Sequence, residues 1–222
     1  MKPLPDPARS LAGCPEVIFI VYCLPADAEG RGYADWLYRV DMPFFNAIPG
    51  VHHYANWRIA DVLRGERPLW DWFDFQGLVS GTALESVWFN PDLDEFRANW
   101  VKLWGYGHAD PPPVLRHAYL MRSMTARPPD RPWSEALLAG GQGDAPTLAP
   151  GSAGFTWQIH TTLHKHFIGR DPTRPWQTPS DAFNPLGLDW IACLAPDASL
   201  PDEARCAARV TVVAAPDQGP II

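Results

Sequence analysis

Apolar residues fall along the first 125 positions in two alternating rhythms. Val17 to Cys23 is an unbroken apolar run that closes on Leu24-Pro25, the pattern of a buried strand. Tyr33, Trp36, Leu37, Val40, Phe44 and Phe45 then recur three and four residues apart, which predicts a helix, and Pro49-Gly50 stops it. Strict alternation returns from Val51 to Ile59. It puts His52, Tyr54, Asn56 and Arg58 on one face of a strand and Val51, His53, Ala55, Trp57 and Ile59 on the other. A loop at 63–68 leads to a third strand, 69–80, with Trp72, Asp74 and Gln76 opposite Phe73 and Phe75. Asn90-Pro91 opens a second helix as N-cap and first-turn proline, with Phe96, Trp100, Leu103 and Trp104 as its apolar stripe. After Pro111-Pro112-Pro113 a fourth strand runs over about 115–124. The order β-α-β-β-α-β predicts a ferredoxin-like unit over residues 15–125, after a Pro-rich lead-in at 1–14.

Residues 126–222 form an extension with a weaker pattern. A short helix is expected over 133–139, then a Gly/Pro/Ala-rich loop over 140–154. GFTWQIHTTLHKHFIGR follows, and its β-branched residues and flanking glycines favour a strand. On that strand His160, His164 and His166 share one face and Trp157, Ile159 and Leu163 the other. A last short strand is expected at 208–214. The extension either completes a barrel within the chain or lids a pocket.

Composition excludes several classes. The net charge of −7 leaves no basic surface for nucleic acid. No apolar stretch approaches membrane-spanning length, and MKPLPDPARS lacks the apolar core of a signal peptide. Cys14, Cys23, Cys193 and Cys206 show no C-x-x-C spacing, so the expectation is a soluble cytoplasmic protein with reduced thiols. No glycine-rich phosphate loop or G-x-S-x-G elbow is present, and no cofactor is expected. Eleven tryptophans point to a large aromatic core or a pocket for a flat apolar ligand.

A βαββαβ sheet has one face under its helices and the other bare. Tyr22, Tyr54, Trp72 and Tyr119 are expected on that bare face, which would seek a partner sheet. The segments YADWLYRVDMPFFNAIPGV, HHYANWRI and DWFDF, with Asp41, Pro43, Ile48, Pro49 and Val51 at their marked places, resemble the EthD-like and REDY-like dimeric α/β-barrel families over residues 16–125. The resemblance implies an α+β fold, a homodimer whose two sheets close a barrel, and a pocket for a small aromatic molecule. It also implies a range of chemistries: cofactor-free monooxygenases, cyclases, decarboxylases and haem enzymes.

The candidate catalytic residues are His160, His164, His166, Asp74 and Tyr54. Tyr22, His52, Asn56, Arg58, Trp72, His117, Tyr119 and Trp157 are candidates for substrate contact. The histidines can serve in acid/base transfer, in metal binding or in packing. For metal, H-x-x-x-H-x-H on a strand spreads its outer ligands about 20 Å apart, so no metal site is assigned. Asp74 is either an ion-pair partner of Arg58 or a buried carboxylate suited to proton abstraction. The expected function is a cofactor-independent lyase that cleaves the side chain of a phenolic substrate by proton transfer. A cofactor-free monooxygenase and a non-catalytic aromatic-binding protein are the alternatives.

Overall fold

Eight strands close on themselves in a single antiparallel barrel, seen in a computed structural model that describes residues 10–68, 70–82, 84–88, 90–104, 116–130, 133–163 and 186–214. The strands are β1 (Glu16–Tyr22), β2 (Val51–Arg64), β3 (Trp72–Leu78), β4 (Arg116–Arg127), β5 (Glu135–Gly141), β6 (Gly154–Thr162), β7 (Trp190–Leu194) and β8 (Ala204–Ala214). Around the barrel they run β1-β3-β2-β8-β5-β7-β6-β4.

This overturns the expected ferredoxin-like sheet that borrows its second sheet from another chain. The strands of residues 16–127 do lie side by side as β4-β1-β3-β2, but neither outer strand is an edge. β2 pairs with β8, and β4 pairs with β6. The extension supplies β8-β5-β7-β6, the same order counted within its own half. The sheet face that the helices leave uncovered is therefore the barrel interior, filled by the chain itself.

The interior is apolar on every wall. Val17, Phe19, Val21, Ala55, Trp57, Phe73, Phe75, Tyr119, Met121, Leu138, Phe155, Trp157, Ile191 and Val210 belong to one buried cluster. Phe19 stacks on Phe75 with ring centres 5.3 Å apart, and Phe75 meets Trp157 at 5.0 Å. One end of the barrel is plugged by the turn Leu11–Gly13 and Cys14. A Cβ at Gly77 would lie 2.4 Å from Cys14 Sγ, so only glycine lets the turn seat.

The outer face of the first half is covered by α1 (Tyr33–Trp36), a π turn (Leu37–Asp41), α2 (Met42–Asn46), α3 (Leu84–Trp88) and α4 (Pro91–Trp104). Asn90 caps α4 as expected, its Oδ1 accepting from the Asp92 N–H at 3.0 Å. The buried stripe of α4 is Leu93, Arg97, Trp100 and Trp104, whereas Leu103 is 47% exposed. Tyr22, Tyr54 and Trp72 lie in this helix-covered layer and not on an uncovered face, and only Tyr119 points inward. Over the second half, Leu148, Ala145, Ala198 and Leu200 from loops cover the sheet.

The helix expected over 133–139 is instead β5. Its Glu, Ala and Leu are good helix formers, but pairing with both β7 and β8 outweighs that local preference. Gly141 suits the strand because a Cβ there would lie 2.4 Å from the Trp190 ring. The strand β7 was not anticipated; WIACL is only five residues of even burial.

Candidate functional site

Two places gather chemistry, one on each side of the barrel wall. The first is a cavity of about 490 Å³ at the barrel end opposite the plug. Ile59, Val62, Trp70, Leu138, Leu188 and Ile191 make its apolar wall, and His117 on β4 stands in that wall. The His117 backbone pairs with Val21, which places the imidazole at the open end of β1. Arg64, Glu66 and Arg67 rim the mouth. Arg64 Nη1 donates to the carbonyls of Pro201 and Ala204 at 2.9 and 3.0 Å, so its guanidinium is fixed in place. Arg67 pairs directly with Asp71 at 2.6 Å on the exposed surface. Cys206 also lines the cavity, but burial pushes its thiol up and keeps it protonated. Tyr119 lies two residues deeper than His117 on the same face, and burial pushes its phenol up as well.

The second place is the layer between helices and barrel. Asp74 on β3 and Asp41 at the end of the π turn are 2% and 3% exposed. The Tyr54 hydroxyl lies 2.8 Å from Asp41 Oδ2 and 2.9 Å from Asp74 Oδ2. Asn56 Nδ2 donates to Asp74 Oδ1 at 2.8 Å and to Asp41 Oδ2 at 3.0 Å. A chain of donors leads in from α4: Trp100 Nε1 to the Tyr33 oxygen at 3.1 Å, Tyr33 to Tyr22 at 3.2 Å, and Tyr22 to Asp74 Oδ1 at 3.1 Å. Burial, and then the nearby carboxylates, raise the phenols of Tyr22, Tyr33 and Tyr54 well above their ordinary value.

Local sequence explains the approach of Asp41. The π turn widens the helix and ends at Asp41. Asn46, one turn on, accepts from the Tyr54 N–H at 3.1 Å and donates to the Tyr54 carbonyl at 3.1 Å. That clamp sits just past the register shift between Val51 and His53, and it holds α2 to β2. Neither Asp41 nor Asn46 was singled out for chemistry from the sequence. Asp41 was marked only as a place in the family resemblance, and Asn46 only by its position on the helix leading into the Pro-Gly stop.

The candidates separate as follows. Asp74, Tyr54, Tyr22 and Asn56 come together in the outer layer. Arg58 does not pair with Asp74; it pairs with Glu29 and lies 5.3 Å over the Trp72 ring. His117 lines the cavity, while Tyr119 and Trp157 lie in the barrel interior. His52 packs over Gly13 at the plugged end. His160 is exposed on β6, and His164 and His166 lie outside the described residues. Among the described residues no group of three or more His, Cys, Asp or Glu is placed to hold a metal ion, and no helix is long and apolar enough to cross a membrane. Compared with known proteins, the chain matches no family model, no curated protein and no solved structure.

Proposed function

We propose that the chain is a cofactor-independent lyase that takes a small aromatic molecule into the barrel mouth and cleaves its side chain by proton transfer. The supporting observation is the imidazole of His117 in the wall of an otherwise apolar cavity. Barrel mouths lined by aliphatic and aromatic groups, with a few placed polar atoms, are where small flat ligands bind. Ile59, Leu138, Leu188 and Ile191 would strip water from the ring, with the Trp70 indole beside it. Arg64 and Arg67 would face an anionic end, such as a carboxylate, at the mouth.

For a phenolic acid the balanced step is decarboxylation. The C–C bond to the carboxylate breaks, its electron pair stays on the carbon skeleton, and carbon dioxide leaves. His117 delivers a proton to that carbon and is reprotonated from solvent. An imidazole titrates near neutrality and suits both halves of this exchange. The free thiols of Cys14, Cys23, Cys193 and Cys206 support a reducing, cytoplasmic setting.

Incubation with a panel of phenolic acids, with product and dissolved oxygen followed together, tests the reading. The expected result is a decarboxylated or carbonyl-released product with no oxygen uptake, and about 100-fold slower turnover in His117→Gln with unchanged melting. Oxygen consumption would replace the lyase with a monooxygenase. Tight binding with no product would make the barrel a binding protein.

A further inference from the structure

The two arginines at the barrel mouth are held in different ways. Arg67 has the Asp71 carboxylate at 2.6 Å, whereas Arg64 makes no ion pair among the described residues and is held by backbone carbonyls. We propose that Arg64 is the specificity-determining residue of the cavity, a fixed fork that takes the planar carboxylate of an aryl acid through Nε and Nη2. This rests on the reading of the cavity as the ligand site and not on the lyase chemistry, because such a fork selects what binds whether or not a bond then breaks.

The anchoring falls on one nitrogen. Arg64 is the last residue of β2, in register with Ala207 of β8. Its Nη1 donates to the carbonyls of Pro201, Asp202 and Ala204 at 2.9, 3.4 and 3.0 Å. The backbone that follows packs on the next residues of the same segment: a Cβ at Gly65 would lie 2.8 Å from the Arg205 carbonyl oxygen. Neutral carbonyls fix a guanidinium without cancelling its charge. Asp202 contributes its backbone oxygen to this anchor. The side-chain entropy of Arg64 is therefore already spent before a ligand arrives.

A guanidinium is planar, and Nη1 carries two of its N–H groups. The others are on Nη2 and Nε, and they have no partner among the described residues. The Nε–H and one Nη2–H run parallel along the edge opposite Nη1, a spacing that matches the two oxygens of a carboxylate. With Nη1 turned to the 201–204 segment, that edge points away from it, and Arg64 stands in the cavity lining. Ile59, Val62 and Trp70 line the same space and would take the ring.

The other charges at the mouth set the size of the anion. Glu66 is the only acid among the described lining residues, and Asp71 already neutralises Arg67. The mouth thus has no surplus positive charge for a dianion, and the second charge of a phosphonate would meet Glu66 as a like charge. A carboxylate, planar and singly charged, is the group that fits.

Isothermal titration calorimetry of the whole chain tests the proposal, with phenylacetate, 3-(4-hydroxyphenyl)propanoate and 2-naphthoate each set beside its primary amide. The expected result is an acid that binds at least about 10-fold tighter than its amide in the unaltered protein. Arg64→Gln should bring the acid down to the affinity of the amide while the amide keeps its own, which shows the cavity intact. Arg64→Lys should not restore the preference, because an ammonium has no fork. Arg127→Gln, which removes an arginine bonded to the Leu148 and Ala149 carbonyls outside the cavity lining, should keep it. Equal affinity for acid and amide in the unaltered protein would overturn the proposal and leave the cavity as an aromatic site, and that measurement needs no variant to fold. A preference that survives Arg64→Gln would overturn it too, as would benzylphosphonate binding more tightly than phenylacetate. An acid preference without turnover would remove the lyase and leave the fork standing. No binding in any pair would overturn the cavity reading and the fork together.

Discussion

The two faces of the barrel wall use polar side chains in opposite ways. Outside, under the helices, Asp41, Tyr54, Asn56 and Asp74 spend their hydrogen bonds on one another, and the layer is sealed. Inside, at the mouth, His117 stands among aliphatic groups beside about 490 Å³ of space. The difference separates side chains that hold layers together from a side chain that faces open space. A buried network whose members bond one another is costly to break. A polar side chain in the wall of an apolar cavity can meet a ligand directly.

The comparison breaks most visibly in alkali. Tyr22, Tyr33 and Tyr54 have folded-state values raised above the ordinary 10.0, so their contribution is fully present below pH 10 and is lost as pH climbs through the raised values. Cooperative unfolding by urea should therefore weaken steadily above pH 10, and a Tyr22→Phe, Tyr33→Phe double variant should show a shallower decline. Next in size, Asn56→Ala removes the two N–H groups that bridge Asp41 and Asp74 and opens a gap in the buried layer. It should cost about 3 kcal/mol in chemical denaturation and leave the cavity able to bind ligand.

His117→Gln should invert that result, with turnover down about 100-fold and the denaturation midpoint unmoved. At the plugged end, Gly77→Val drives a side chain into Cys14 and Leu11 and should cost about 2 kcal/mol, read as a lower melting temperature. The smallest effect on the fold is expected from Ala208→Phe. Ala208 lines the cavity, so the larger ring should fill it with under about 1.5 kcal/mol change in stability and abolish uptake of an aromatic ligand, read by tryptophan fluorescence.

Much of the first half was legible because its pattern is dense and local. Alternation placed Trp72, Asp74 and Gln76 opposite Phe73 and Phe75, and the structure keeps those faces. The Asn90-Pro91 helix start also held. Where alternation was interrupted the reading slipped. The register shift after Val51 puts Val51 in the same outer layer as Tyr54, and the even burial of WIACL hid β7. Asp74, Tyr54, Tyr22 and Asn56 were found as strand-borne polar residues, but their partner Asp41 was not, because it arrives from a helix.

The sequence by itself determined the strands with strong period-two patterns, the aromatic core and the presence of buried polar residues on β2 and β3. Side-chain period and apolar burial are properties of neighbouring positions, and a chain displays them directly. Only the tertiary structure decided that β8 closes on β2 and β6 on β4, so that one chain makes the whole barrel. It alone decided which face of the first sheet is interior, put strand β5 where a helix over 133–139 was expected, and brought Asp41 to Tyr54. Each of these depends on contacts between residues distant along the chain, where pairing and packing energies exceed the few tenths of a kcal/mol by which local preference differs.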